Sequence, residues 1–258
     1  MIMSMLEQFS LQGKVAIVTG ASTGLGQGMA IGLAQAGAHI VGVDYVPMPE
    51  TKALIEGLHQ QFHGIVANLV SATVEELQAI IKEAVSVFGK VDILVNNAGI
   101  IRREDSIRFS EKDWDDVMNI NLKSVFFLSQ AVANQFILQK TPGKIINIAS
   151  MLSYQGGIRV PSYTASKSGV KGITMLMANE WAKYGINANA IAPGYMATNN
   201  TKALRDDEKR AGEILERIPA GRWGTPQDVA GVCVFLAGKN SDYINGFTIA
   251  VDGGWLAR

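Results

Sequence analysis

The sequence predicts an α/β protein, a doubly wound parallel sheet with helices on both faces. Short β-branched runs alternate with longer amphipathic segments along the chain, and the runs are apolar almost throughout, as in Val15-Ala16-Ile17-Val18 and Ile93-Leu94-Val95. The first run also empties into a glycine-rich turn ahead of a helical pattern. A strand that is apolar on both faces must be covered on both, which a parallel sheet wrapped by helices achieves. Taken in order, strands are expected at Lys14–Gly20, His39–Asp44, Gly64–Leu69, Val91–Asn96, Lys144–Ser150, Ile186–Pro193 and Phe247–Val251, with helical patterns between them. The main break in this rhythm is the charged stretch Lys202–Arg217, and residues 195–218 read as a helical lid inserted over a substrate site. No Pro/Ser-rich linker, low-complexity tract or internal repeat divides the chain, so residues 1–258 are expected to form one domain.

Composition removes several function classes. Hydrophobic residues at 48% and charged ones at 18% supply a continuous core and exclude disordered and fibrous classes. The 23 Lys+Arg balance the 23 Asp+Glu, so no long-range field draws phosphate backbones or anionic lipid, and neither nucleic acid nor membrane is expected as a partner. A lone Cys233 cannot make an intrachain disulfide, and with only His39, His59 and His63 beside it no Cys/His zinc site is expected, and no metal. His59 and His63, four apart with no companion carboxylate motif, read as a solvated helix end. No basic segment precedes an apolar stretch at the start, and no apolar run is long enough to span a bilayer. A soluble protein of a reducing compartment, the cytoplasm, is the expectation.

Two constellations carry chemistry. The turn Thr19-Gly20-Ala21-Ser22-Thr23-Gly24-Leu25-Gly26 runs into the helical pattern Met29–Ala36. Its glycines let the backbone approach a pyrophosphate, whose charge is stabilised by exposed N–H groups and the helix dipole. Asp44 ends the second strand, where a carboxylate accepts both ribose hydroxyls and repels a 2′-phosphate, favouring NAD over NADP; the alternative is an ordinary strand-end turn residue. The second constellation is Ser150 at the end of the fifth strand with Tyr163 and Lys167, four apart on one helical face. A phenol is a poor proton donor or acceptor at neutral pH unless a cation stabilises the phenolate, which Lys167 can do, with the Ser150 hydroxyl holding a substrate oxygen against it. Alone, such a Tyr/Lys pair is mostly chance; its weight comes from company.

In order and spacing, Thr19–Gly26, Asn96-Asn97-Ala98-Gly99, Asn121, Ser150, Tyr163, Lys167 and Pro193-Gly194 through Thr198 resemble the short-chain dehydrogenase/reductase family over nearly the whole chain. The resemblance implies a Rossmann-type sheet of order 3-2-1-4-5-6-7, a nicotinamide cofactor, no metal and a homotetramer. It implies Tyr163 as general acid/base, Ser150 orienting the carbonyl, Lys167 on the nicotinamide ribose, and Asn121 supporting a water relay to that lysine. It also implies cofactor contacts from Gly20, Ser22, Thr23, Gly24, Leu25, Gly26 and Asp44, from Asn97, Ala98 and Gly99, and from Tyr163, Lys167, Pro193 and Thr198. Asn68 and Leu69 would flank adenine, although many relatives carry Asp at the first of these.

Substrate choice must come from side chains at the mouth of the site. Ile100-Ile101-Arg102-Arg103-Glu104-Asp105 and Gln155-Gly156-Gly157-Ile158-Arg159 bring arginines to two loops expected to border the nicotinamide, and arginine's planar fork suits a carboxylate. Arg102, Arg159 and Gln155 are the candidates toward an acidic substrate, with Ser150 and Tyr163 at the reacting end; Arg103 reads rather as a surface partner of Glu104 or Asp105. Together with Ala192–Asn200, these stretches resemble the family's sugar-acid C5 dehydrogenases, those of deoxy keto acids first and those of gluconate second. The partner implied is a small keto or hydroxy sugar acid from uronate or pectin breakdown. A lipid or steroid reductase would want a more apolar mouth, and a non-catalytic NAD sensor would not keep Asn121, Ser150, Tyr163 and Lys167.

Overall fold

The computed structural model describes residues 4–258. Its strands are β1 (Val15–Thr19), β2 (His39–Asp44), β3 (Phe62–Val66), β4 (Ile93–Asn96), β5 (Gly143–Ile148), β6 (Ile186–Pro193) and β7 (Thr248–Val251). All pair in parallel, in the order β3-β2-β1-β4-β5-β6-β7. The helices are α1 (Gly24–Gln35), α2 (Pro49–Gly57), α3 (Val74–Phe88), α4 (Glu111–Met118), α5 (Ser124–Gln139), α6 (Pro161–Trp181), α7 (Lys202–Arg205), α8 (Glu208–Arg217) and α9 (Pro226–Ala237).

The period-2 alternation of the strands builds two cores. Ala16 and Val18 of β1, Ile93 and Val95 of β4 and Ile146 and Ile148 of β5 face one side, where α1 and α9 pack. Val15 and Ile17, Leu94 and Ile145 face the other, under α3 and α5. The two faces are thus sealed by helices, as uniformly apolar strands require. Local signals set the helix ends: Thr73 and Glu76 form a reciprocal capping box at the start of α3, and Gly89, in the left-handed region, stops it.

Two expectations shift. The third strand lies at Phe62–Val66 rather than Gly64–Leu69, because after the Ala67 N–H bonds the Asp44 carbonyl the Asn68 side chain accepts the Val70 N–H and turns the chain off the sheet. The charged insertion is not one helix; α7 and α8 are separated at Asp206-Asp207, where the Asp207 carboxylate caps α8 by accepting the Arg210 N–H. Tyr195 and Ala197 are tied by backbone hydrogen bonds to Gly224, so the segment between leaves and rejoins the body at one place. Among the described residues no helix is long and apolar enough to cross a membrane.

Candidate active site

The groove expected for a cofactor runs along the C-terminal ends of β1, β2 and β4, where the glycine turn, Asp44 and Asn97 are gathered. Gly20, at φ +68°, turns the chain out of β1, and Gly26 follows so closely that a Cβ there would sit 1.9 Å from the Gly20 carbonyl oxygen. Only glycine permits this turn, which leaves Gly24 and Leu25, preceded by Thr23 at the N-cap, at the start of α1 with the orphan N–H groups of a helix N-terminus. Asn97 fixes the turn to β4, its side-chain amide donating to the carbonyls of Thr19 (2.9 Å) and Gly20 (3.2 Å), while the N–H groups of Asn97 and Ala98 bond the Thr19 hydroxyl. Asp44, buried, accepts the N–H groups of Ser22 (3.0 Å) and Tyr45 (2.8 Å), so its carboxylate is held against the glycine turn. On the opposite side Thr198, just after β6 ends at Pro193, lies near Gly24; a Cβ on Gly24 would be 3.7 Å from the Thr198 methyl. Asn68 is exposed at the rim, whereas the Leu69 side chain is buried in the core below α3 and α5, leaving chiefly its backbone near the groove.

Asn121, Ser150, Tyr163 and Lys167 converge beside this groove. Asn121 is fully buried in a π-helical turn, Asn119–Lys123, between α4 and α5. Its side chain both accepts from the Ile100 N–H (2.9 Å) and donates to the Ile100 carbonyl (3.0 Å) and the Ser166 hydroxyl (3.1 Å). Tyr163 and Lys167 occupy the first turns of α6, which Pro161 opens. The Lys167 ammonium lies 5.7 Å from the Tyr163 ring centre and donates to the Ile148 carbonyl at the end of β5 (2.6 Å). A Cβ on Gly99 would stand 2.9 Å from Asn121 Oδ1 and 3.7 Å from the ammonium, so asparagine, glycine and lysine form one compact wall.

Burial dominates the electrostatics. It pushes the Lys167 ammonium down to about 8. It also pushes the Tyr163 phenol up, while a hydrogen bond with Ser150 and the positive charge of Arg103 pull it back. Arg103, expected from the sequence in a surface pair, is thus a cation that acts on the phenol from the cavity side, in addition to Lys167 beside the ring.

A cavity of about 300 Å³ extends from Ser150 and Tyr163 out to α8, with Arg103, Gln155, Arg210 and Arg217 on its walls. Here the structure corrects the arginines. Arg102 points away from the cavity and pairs with Asp113 of α4 (3.3 Å). Its neighbours Ile101 and Arg103 both line the cavity, and Arg102 between them takes the other side. Arg159, at φ +63°, is spent on Asp105 (3.0 Å) and Glu104 (3.6 Å), and its carbonyl accepts the Glu104 N–H, so it clamps the two mouth loops together rather than reaching inward. Sequence reasoning missed Arg210, Arg217, Tyr195 and Trp255 as cavity residues. A usable signal was present: Arg210, Glu213, Ile214 and Arg217 fall at i, i+3, i+4 and i+7, one face of a helix.

A family model described as enoyl-(acyl carrier protein) reductase matches residues 20–256. The chain is 66% identical over 253 residues to the 2-dehydro-3-deoxy-D-gluconate 5-dehydrogenase of Escherichia coli (strain K12), covering 98% of this chain and 99% of that protein. It is 41% identical over 253 residues to the 5-keto-D-gluconate 5-reductase of the same strain, with the same coverage of each. The crystal structure of a gluconate 5-dehydrogenase from Burkholderia cenocepacia J2315, in complex with NADP and tartrate, matches with a TM-score of 0.94 at 38% identity, covering 99% of this chain and 100% of that one.

Proposed function

Because the chain belongs to the short-chain dehydrogenase/reductase family of nicotinamide-dependent oxidoreductases, we propose that it interconverts 2-dehydro-3-deoxy-D-gluconate and 3-deoxy-D-glycero-2,5-hexodiulosonate, with NAD preferred, in the breakdown of uronate sugars. The observation that carries this reading is the pairing of a Ser150–Tyr163 centre with a cavity walled by arginines, in a chain far more like the E. coli deoxy-sugar-acid enzyme than that strain's gluconate enzyme. An acyl chain, which the matched family model's description suggests, would bury its apolar surface poorly against Arg103, Gln155, Arg210, Glu213 and Arg217.

The groove fits a nicotinamide dinucleotide in its chemistry: free N–H groups at the α1 N-terminus for the pyrophosphate, the Asp44 carboxylate for ribose hydroxyls, and Lys167 with Thr198 for the nicotinamide end. Bound there in its reduced form, the cofactor supplies the hydride for the C5 carbonyl carbon. Ser150 donates a hydrogen bond to the C5 oxygen and holds it at the phenol. Tyr163 gives that oxygen its proton as charge gathers on it, and the positive charges of Arg103 and Lys167 favour the phenolate left behind. Asn121, clamped to Ile100, keeps the wall behind Lys167 in place for the proton's return from water.

NAD preference rests on Asp44, whose buried carboxylate would face a 2′-phosphate with like charge. Asp44→Ala is expected to raise the Kd for NADH by about tenfold, and to narrow the preference over NADPH, as read by quenching of intrinsic fluorescence. An unaltered ratio of the two affinities would move the choice elsewhere. A homotetramer is the assembly we infer, supported by the groove between α5 and α6, where Phe126, Ile137, Leu176 and Trp181 alternate with Gln130, Asn134 and Glu180, and by the exposed Phe247 beside β7. The single cysteine, buried with its thiol pushed up to about 12, suits a cytoplasmic protein. The decisive assay follows NADH oxidation with 3-deoxy-D-glycero-2,5-hexodiulosonate and 5-keto-gluconate side by side. A higher kcat/KM for the deoxy diketo acid is expected; the reverse order would assign the chain to gluconate chemistry.

A further inference from the structure

The cavity's far wall is built from α8 and the C-terminal tail, and these two are joined. Ile214 and Ile218 pack on Trp255 in a small apolar cluster separate from both faces of the sheet, and the Arg258 side chain donates to the Glu216 carbonyl (3.0 Å). The two arginines that α8 turns toward the cavity differ in what holds them. Arg210 is neutralised by Glu213 (3.1 Å). Arg217 has no carboxylate partner among the described residues; its guanidinium lies 4.0 Å over the indole ring of Trp255. Trp255 is only 4% exposed, is braced edge-on by Tyr195 (4.9 Å), and its indole N–H has no acceptor among the described residues. A stacked guanidinium keeps its N–H fork free while its orientation is fixed.

We propose that Arg217, seated on Trp255, is the specificity residue that holds the substrate's C1 carboxylate. This rests on the functional reading above. If Tyr163 works at C5, the carboxylate lies roughly 5 Å from the reacting carbon, four C–C bonds of about 1.5 Å along the chain. It must therefore be gripped by a wall other than the one carrying the phenol. Arg103 is at the wrong end, since its charge acts on Tyr163 itself. Of the remaining cavity arginines, Arg210 already has its carboxylate. Arg217 is left, on a stiff aromatic platform, facing the same cavity as Ser150 and Tyr163.

The test is steady-state reduction of the deoxy diketo acid and of its methyl ester by the wild-type enzyme, Arg217→Ala and Arg217→Lys. Arg217→Ala should raise KM for the acid by roughly 10–100-fold, with a much smaller change in kcat. Arg217→Lys should recover part of the loss, because it restores the charge without the fork. On the ester, which lacks the charge, wild type and Arg217→Ala should have KM values within about threefold, closing a double-mutant cycle between guanidinium and carboxylate. A KM for the acid unchanged by Arg217→Ala, or equal losses on acid and ester, would overturn the subsite while leaving the reaction assigned. Absence of wild-type turnover on the acid would instead overturn the functional reading, and the subsite with it.

Discussion

Tyr163→Phe is expected to lower kcat for reduction by about 10²–10⁴-fold, while the Kd for NADH stays within a small factor of the wild-type value. The substitution deletes one hydroxyl and keeps the ring that packs against the Lys167 wall, so the loss falls on proton transfer and not on the groove. Burial makes the phenol a weaker acid than usual, which suits a group that must hold its proton until the C5 oxygen becomes basic. Ser150 and Arg103 oppose that shift, and these are the groups that would stabilise the phenolate once the proton has gone. Single-turnover traces at 340 nm with enzyme in excess separate the chemical step from cofactor release. Wild-type rates from the phenylalanine variant would remove Tyr163 from the reaction.

The fold was legible because the strands' apolar runs and the glycine turn say the same thing at two scales: a sheet closed on both faces, with a helix N-terminus aimed at its C-terminal edge. The locations of Ser150, Tyr163 and Lys167 followed from strand end and helix spacing, both local properties. What the sequence hid depends on side-chain direction in irregular segments. Nothing in Arg102-Arg103 says which faces inward until the loop after Gly99 is fixed, and one residue of phase exchanges a surface ion pair for a cavity wall. Arg159 was hidden for a related reason: its left-handed backbone turns it onto Glu104 and Asp105, a pairing across two loops. The π-turn at Asn121 was equally invisible. It is stabilised by Ser124, whose hydroxyl donates to both the Asn119 and Leu69 carbonyls, and the second of those contacts exists only after the third strand has delivered Leu69.

Lys167→Met should separate activity from stability in opposite directions. Lys167 is 4% exposed and its ammonium is pushed down to about 8, against about 10.4 in an unfolded chain. Below about pH 8 the native protein therefore carries the full cost of burying a charge. Between the two values the unfolded chain binds the proton and the native protein releases it, so this group makes the fold more stable as pH rises through that window. Catalysis runs the other way, because the charge that supports the phenolate is lost as pH climbs past 8, and kcat/KM for reduction should fall there. Replacing the lysine with methionine fills the same volume without the charge, at the loss of one hydrogen bond to the Ile148 carbonyl. At pH 7 the cofactor-free variant is expected to gain on the order of 1–2 kcal/mol in urea unfolding, to lose the wild type's rise in stability between pH 8 and 10, and to lose nearly all turnover. Such a trade is expected where a site keeps a buried charge for its chemistry. A variant that is less stable at pH 7 and keeps the wild-type pH slope would mean that Lys167 serves the fold, its bond to Ile148 outweighing the charge it buries.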